Sequence, residues 1–307
     1  MTKAHRGIYA AAVSPFREDG GLDVPKLIAY CRYLMSDGGC DGVAPTGTTG
    51  EGNSIAMRDR LSLPASFSEA GIPTDRVIFG TGACAAGDAV DLTKAALAAG
   101  YNNVLVLPPF YYKNPTDDGL YAYIAQIIDK VASDHLRIYL YHFPQVSMTP
   151  FSVDLVVRLK ADFGPIIAGL KDSSGDFSQS KAFADATGGV EGDFDVYPSS
   201  EAMVFDGLAA GCAGIISGST NAFATKVQHA LAAQGPERAL ALDAVKQARS
   251  VATKYPLMAA MKQVEAWRSG DDEWTRMAPP LVPLSAAQRA SFKSDLQSLD
   301  RAHDTAA

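Results

Sequence analysis

Short runs of hydrophobic residues recur along the chain at intervals of about thirty residues, and each ends in glycine, proline or polar residues. The runs are rich in branched aliphatic side chains and too short to be helices, which is typical of strands buried on both faces. Eight runs are predicted as strands: "GIYAAAVSP", "GVAPTG", "RVIFGTG", "NVLVLPP", "RIYLYHFP", "IIAGLKDSS", "DVYPSS" and "GIISGST".

Helix-like segments lie between these runs, and most end near a glycine or a polar turn. They include residues 22–36, 88–99, 119–132 and 200–210. Strict alternation of strand and helix predicts a parallel sheet, and eight units predict closure into a (β/α)8 TIM barrel. An open, doubly wound sheet is the rival architecture.

The pattern changes at about residue 223, where the sequence becomes helical in period and lacks strand-like runs. We therefore predict a catalytic barrel over residues 1–222 and a C-terminal helical extension over residues 223–307. The extension is short for an independent domain, so we expect it to pack against the barrel or against a neighbouring subunit.

Composition favours a compact globular protein and argues against a nucleic-acid partner. The 307 residues are 47% hydrophobic and 20% charged, which is typical of a compact globular chain. A formal net charge of -7 argues against nucleic acid, whose phosphates require a basic face. The four cysteines form no CxxC pair, which favours a reducing cytoplasm, and no signal peptide or membrane span is predicted.

In a barrel enzyme the active site lies at the C-terminal ends of the strands, so the residues that end each run are the candidate active-site residues. The sixth run leads directly into Lys171, within "IIAGLKDSSGD". Alternation along a strand predicts that Ile167, Gly169 and Lys171 share the inward face, with Gly169 leaving room for a ligand. Burial favours a neutral, nucleophilic amine, whereas a surface lysine with a snorkelling stem is the alternative.

Three other strand endings carry candidate chemistry, and the fourth strand gives "PPFYYKNP". The second ends in "GTTGE", where Gly47, Thr48 and Thr49 offer hydroxyls and backbone N–H groups suited to a carboxylate or a phosphate. An ordinary glycine-rich turn is the alternative. The fifth contains Tyr139 and Tyr141, and a phenol near a lysine can shuttle protons, although such tyrosines are usually core or rim aromatics.

Together these endings resemble the dihydrodipicolinate synthase and N-acetylneuraminate lyase family of class I pyruvate aldolases. The resemblance covers most of the chain, and several ordered motifs are more specific than any single one. The motifs are "GIYAAAVSPFREDGGLD", "GCDGVAPTGTTGE", "PPFYYKNPTDDGLY", "YLYHFP", "GLKDSSGD" and "GLAAGCAGIISGSTNAF".

The resemblance implies a role for each matching residue. Lys171 matches the lysine that forms a Schiff base with pyruvate or another 2-oxo acid, and Tyr141 matches the tyrosine that moves protons. Thr48 matches the hydroxyl that links this tyrosine to a second one. Tyr112 matches that second tyrosine, which some members borrow from a neighbouring subunit, and we expect a homotetramer or homodimer. Thr49 and the amides of its loop match the pyruvate carboxylate site.

This chemistry needs neither a cofactor nor a metal, because a protonated imine itself withdraws electrons from the neighbouring carbon. Class II aldolases instead use a divalent ion bound by clustered histidines and carboxylates. The five histidines here show no HxH or HExxH spacing, so no metal site is predicted.

Two departures from the resemblance bear on the substrate. Val146 stands where synthases carry an arginine for a substrate carboxylate, and Glu201 is followed by Ala202 where sialic acid lyases carry an acidic pair. The segment "GLKDSSGDFS" instead resembles 2-keto-3-deoxy sugar acid aldolases and 4-hydroxy-2-oxoglutarate aldolases.

Several polar residues at strand ends are candidate substrate contacts, with simple turn chemistry as the alternative. These are Ser173, Ser199, Ser200, Glu201 and Ser219. We therefore predict aldol cleavage or condensation of a hydroxylated 2-oxo acid with pyruvate as product or donor. Dihydrodipicolinate synthesis, dehydration of a 2-keto-3-deoxy acid, and a non-catalytic binding protein on this scaffold remain alternatives.

Overall fold

The computed structural model describes residues 6–304. Its eight strands coincide with the eight predicted runs. They are β1 Gly7–Ala10, β2 Gly42–Val43, β3 Phe79–Gly80, β4 Asn103–Val106, β5 Arg137–His142, β6 Ile167–Asp172, β7 Asp195–Pro198 and β8 Gly214–Ser217. The helices are α1 Val24–Met35, α2 Met57–Glu69, α3 Ala86–Ala98, α4 Asp117–Val131, α5 Pro144–Ser147, α6 Val153–Phe163, α7 Phe177–Thr187, α8 Val204–Ala209, α9 Thr220–Ala232, α10 Gly235–Thr253, α11 Leu257–Ser269 and α12 Ala286–Asp304.

The strands close into a parallel barrel, as predicted. β1 pairs with β2 and β8, and β3 to β7 pair in sequence order. Backbone hydrogen bonds join the two groups: Ile78 N–H donates to Val43 at 3.0 Å, and Ala213 N–H donates to Val196 at 2.9 Å. Every strand therefore has a neighbour on both sides, which places all the strand C-terminal ends on one face.

Both faces of the strands are buried, which explains why each run is continuously hydrophobic. The barrel interior contains aliphatic side chains and a layer of tyrosine rings, in which the Tyr197 ring centroid lies 6.0 Å from those of both Tyr9 and Tyr139. The outward side chains, such as Ile138 and Leu140, belong to the larger core beneath the helices. The tyrosine layer lies inside the barrel, beneath the face formed by the strand C-terminal ends.

Strand β6 contains an irregularity that the sequence did not predict. Ile138 pairs with Ile167, but the next residue, Tyr139, pairs with Gly169, so Ala168 is an extra residue. Ile167 consequently lies in the outer core and does not share the inward face with Lys171, and that prediction was wrong.

The expected ligand space at Gly169 is also absent. A Cβ on Gly169 would lie 2.2 Å from the backbone oxygen of Asp195 and 2.9 Å from the ring of Tyr139. The missing side chain therefore makes room for the neighbouring strand and for the tyrosine layer.

The C-terminal helices pack on one another and on the barrel. Helix α9 contacts β1 and β8, so the predicted boundary at residues 222 and 223 lies within a helix that packs on the barrel. Helix α10 packs on α9 and α12. The division into barrel and extension remains a prediction. No helix within residues 6–304 is long and apolar enough to cross a membrane.

Candidate active site

Lys171 lies near the C-terminal end of β6 and is 3% exposed. It pairs with Tyr141 of β5, and its Nζ atom lies 4.2 Å from the centroid of the Tyr141 ring. An amine at this distance from a ring face makes a favourable cation–π contact when it is charged. The structure thus brings together the two residues that the sequence nominated for the central chemistry.

Tyr141 connects the lysine to the loop that follows β2. Its hydroxyl donates to Thr48 Oγ1 at 3.2 Å, and its ring stacks on Phe143. Tyr139, two residues earlier, points to the opposite end of the barrel, where its hydroxyl lies 3.4 Å from Asp195 at the start of β7. Burial, reinforced by the Asp195 charge, raises the pKa of Tyr139 well above its ordinary value. Tyr141 is therefore the tyrosine of β5 that faces the candidate site.

The loop of residues 46–52 carries the predicted carboxylate site. Thr46 and Glu51 adopt left-handed backbone conformations, with φ of 59° and 55°. Gly52 N–H donates to the Gly47 carbonyl at 3.0 Å, and a Cβ on Gly52 would meet the Thr46 oxygen at 2.0 Å. This tight winding explains why the motif is rich in glycine.

A small, partly open pocket lies beside this loop and the ends of β3, β4 and β5. Its lining residues are Thr46, Gly47, Thr48, Asn53, Gly80, Gly82, Leu105, Leu107 and Tyr141. Two of the predicted loop residues, Gly47 and Thr48, therefore border the space next to the Tyr141 ring. Thr49 is buried, and a Cβ on Gly218 would lie 3.0 Å from its Oγ1, so this part of the loop packs against the end of β8.

The predicted hydroxyl and carboxylate contacts divide into two groups. Ser173, Ser199 and Ser200 are half-buried just after β6 and β7. Glu201 is 1% exposed, and the Ser219 hydroxyl lies 2.8 and 2.9 Å from its two carboxylate oxygens. The first group is partly exposed to solvent, whereas Glu201 and Ser219 already hydrogen-bond to each other.

Sequence reasoning missed Arg249, which reaches this region from α10. Its Nη1 atom donates to Ser219 Oγ at 2.5 Å and to Ser217 Oγ at 3.1 Å, and it lies 3.5 Å from Glu201. Arg249 thereby joins the C-terminal helices to the ends of β7 and β8. An arginine within a regular helical pattern carries no local signal for such a long-range contact.

The structure does not bring Tyr112 to the other candidate residues. Tyr112 is 79% exposed, and its ring packs edge-on against Tyr111. Among the hydrogen bonds of the described residues, Thr48 Oγ1 is joined by Tyr141 and not by Tyr112. Val146, on the short helix α5, is also exposed, at 53%.

Comparison with known proteins places this geometry in context. Residues 4–299 match the Dihydrodipicolinate synthetase family. An uncharacterised DapA-like lyase of Chloroflexus aurantiacus is 35% identical over 94% of this chain and 96% of that protein.

Two solved structures show the same architecture. The dihydrodipicolinate synthase of Agrobacterium tumefaciens is 35% identical, with a TM-score of 0.84 over 95% of this chain and 99% of that one. YagE, a prophage protein of the dihydrodipicolinic acid synthase family from E. coli, was solved in complex with pyruvate. It is 26% identical, with a TM-score of 0.85 over 96% of this chain and 98% of that one.

Proposed function

The chain belongs to the dihydrodipicolinate synthetase family of carbon–carbon lyases, and on that basis we propose that Lys171 forms a Schiff base with a hydroxylated 2-oxo acid and cleaves it to pyruvate. The arrangement of Lys171, Tyr141 and Thr48 is the observation that supports this most. The Lys171 amine contacts the Tyr141 ring, and the Tyr141 hydroxyl contacts the Thr48 hydroxyl, so the three groups form a chain at the C-terminal ends of three strands. Schiff-base chemistry needs a nucleophile and an acid–base group, which the amine and the phenol can supply.

In the proposed reaction, the neutral Lys171 amine adds to C2 of the substrate, and Tyr141 donates a proton to the former carbonyl oxygen. Loss of water then leaves a protonated imine. The Tyr141 phenolate removes the proton of the C4 hydroxyl, the C3–C4 bond breaks, and its electrons pass into the imine to form an enamine. The aldehyde leaves, C3 takes up a proton, and water hydrolyses the imine to release pyruvate.

The loop of residues 46–52 supports the proposed binding of the substrate carboxylate. Thr48 and Gly47 border the pocket next to Tyr141, and Thr49 lies in the same loop. Hydroxyls and N–H groups in a tightly wound loop are suitable donors to an anion. A fixed carboxylate would hold C2 near the Lys171 amine.

For the second part of the substrate we propose a 2-keto-3-deoxy sugar acid, with 4-hydroxy-2-oxoglutarate as the next choice. Ser173, Ser199 and Ser200 are half-buried at strand ends and suit a polyhydroxy chain. The charge of Arg249 is opposed by Glu201, which makes it a poor partner for a second carboxylate. Val146 offers no charge in place of the synthase arginine, so condensation with aspartate semialdehyde should be poor.

We also propose that the enzyme assembles as a homodimer or homotetramer. Tyr111, Tyr112, Val146 and Met148 are exposed, and Asn114 N–H donates to the Met148 carbonyl, which holds their two loops together. Such an apolar patch suits a protein interface. A second copy seated there would cover the patch and could lend Tyr112 to its neighbour's Thr48.

The proposed function is tested by incubating the protein with pyruvate and borohydride, which reduces an imine to a stable amine. We expect wild type to gain the mass of one reduced pyruvate, with the label on Lys171, and Lys171→Ala to gain none. Lys181→Ala, which removes an exposed lysine of α7, serves as the control and should label normally. An unlabelled wild type, or labelling that persists in Lys171→Ala, would contradict the Schiff-base assignment.

The substrate is tested by measuring pyruvate release from a panel of 2-oxo acids. We expect faster release from 2-keto-3-deoxy sugar acids than from 4-hydroxy-2-oxoglutarate, and little condensation of pyruvate with aspartate semialdehyde. Loss of substrate to a 2-oxo product without pyruvate release would identify a dehydratase. Efficient condensation with aspartate semialdehyde would contradict the substrate proposal while leaving the Schiff base intact.

A further inference from the structure

The loop of residues 46–52 contains one charged side chain, Glu51, whose carboxylate is fully buried. Its Oε1 accepts from Lys262 Nζ at 2.5 Å, and its Oε2 accepts from Ala278 N–H at 2.7 Å. Lys262 lies on α11, and its ammonium also donates to the Arg276 carbonyl at 2.5 Å. A single carboxylate thus ties the loop to a C-terminal helix and to the segment that follows it.

This pair is well isolated from water. Both side chains are 0% exposed, and the ammonium lies 4.5 Å from the centroid of the Phe16 ring. Burial lowers the pKa of Lys262, and the Glu51 charge opposes that shift. Removing either partner would leave the other charge buried and uncompensated, whereas replacing both with neutral groups would not.

The backbone of Glu51 connects the ion pair directly to the candidate site. Glu51 has a φ of 55°, a conformation that is costly for a residue with a side chain and persists only where its surroundings hold it. Its N–H donates to the Thr48 carbonyl at 3.0 Å. Any shift of Glu51 is therefore passed directly to Thr48, which also holds the Tyr141 hydroxyl.

We infer that Glu51 and Lys262 are positioning residues, through which the C-terminal helix α11 sets the geometry of the loop that binds the substrate carboxylate. The inference rests on the proposed function, because it assigns the loop that role. Displacement of a binding group by about 1 Å can reduce reactivity a hundredfold, so a small shift of this loop is enough to be measured.

The test measures how the rate of borohydride trapping at Lys171 depends on pyruvate concentration. Lys262→Met and Glu51→Gln should raise the half-saturating pyruvate concentration at least about tenfold, with full labelling still reached at saturation. Lys262→Arg, which keeps the charge, should stay close to wild type. Because the single variants can lose stability, their thermal midpoints are measured alongside.

The double variant Glu51→Gln/Lys262→Met separates positioning from stability. It removes both buried charges, so its thermal midpoint should recover relative to the single variants. Its half-saturating concentration should stay raised, because methionine cannot donate to the loop. The double variant also provides the test if a single variant does not fold.

A second pair on the same helix supplies the control. Glu265 is buried and accepts from Arg268 at 2.5 and 2.6 Å, and both residues belong to α11. Glu265→Gln should lower the thermal midpoint without changing the half-saturating concentration. The inference is overturned if Glu265→Gln raises that concentration as much, or if Glu51→Gln, Lys262→Met and the double variant keep the wild-type value. A wild type that traps no pyruvate would instead overturn the proposed function.

Discussion

Tyr141 is the residue of β5 that contacts both Lys171 and Thr48. Its ring lies below the Lys171 amine, and its hydroxyl reaches Thr48 in a neighbouring loop. The ring and the hydroxyl therefore have separate tasks: the ring packs in the barrel mouth, and the hydroxyl is the group able to transfer a proton.

Replacing Tyr141 with phenylalanine should separate these tasks. We expect Tyr141→Phe to fold normally, because the ring and its stacking on Phe143 remain. Its turnover should fall about a hundredfold to ten-thousandfold, which is the usual loss for a general acid–base group. Single-turnover imine formation and steady-state kcat are the measurements.

Tyr139→Phe is the matched control, because Tyr139 lies on the same strand with its hydroxyl near Asp195 at the other end of the barrel. It should cost about 1 kcal/mol of stability for a lost hydrogen bond and leave kcat near wild type. Equal kcat values for the two variants would show that the Tyr141 hydroxyl has no special role.

Strand β5 has a functional face and a structural face, and His142 belongs to the second. It is buried against Phe183 of α7, and its Nδ1 accepts from Phe151 N–H at 3.1 Å. That bond requires the neutral imidazole. Burial lowers the pKa of His142, and the nearby Asp172 charge only partly opposes this.

The lowered pKa predicts a pH dependence of stability. Between the folded-state pKa of His142 and its ordinary value of about 6.5, the unfolded chain binds more protons than the folded one. Stability should therefore be fully present above about pH 6.5 and decline as the pH falls through this window. Urea unfolding at several pH values would measure the decline.

His142→Gln retains an acceptor for Phe151 N–H but cannot take up a proton in this range. We expect the pH slope of its unfolding free energy to be smaller than that of wild type by up to about one proton. An unchanged slope would mean that another group controls stability in this range.

At the scale of the whole molecule, the C-terminal helices meet the candidate site from two directions. Arg249 of α10 contacts the ends of β7 and β8, and Lys262 of α11 contacts the loop after β2. The exposed Tyr112 lies on a different loop, after β4. One side of the site thus packs against the C-terminal helices of the same chain. The other side has the exposed apolar patch around Tyr112, which we propose is covered by a second subunit.

Mixing an impaired variant, Tyr112→Phe, with the inactive variant Lys171→Ala tests that assignment. If Tyr112 acts across an interface, a mixed dimer of Tyr112→Phe and Lys171→Ala contains one site with both native residues. Random exchange of subunits should then restore about a quarter of the wild-type sites. Activity of the exchanged mixture is measured against each variant alone.

Subunit exchange must be shown independently, for example by mass spectrometry of differently tagged chains. The control mixture pairs Tyr141→Phe with Lys171→Ala, whose residues contact each other within one chain. That mixture should restore no activity. Restoration in neither mixture, with exchange shown, would place Tyr112 within its own site or outside the chemistry.

The sequence alone determined the eight strands and the position of Lys171. Parallel strands in a closed barrel bury both faces, so each one appears as a short apolar run, and functional residues follow directly where a run ends. The neighbours Tyr141 and Thr48 could be nominated for the same reason, since all strand C-terminal ends meet on one face.

Only the tertiary structure decided how those residues are held. The extra residue at Ala168 moved Ile167 to the outer core, because a bulge depends on pairing with the adjacent strand and not on local periodicity. Glu51 and Lys262 are 211 positions apart, and the residues around either one give no indication that it pairs with the other. A buried ion pair is created by packing at close range, so its partners become visible only when the chain has folded.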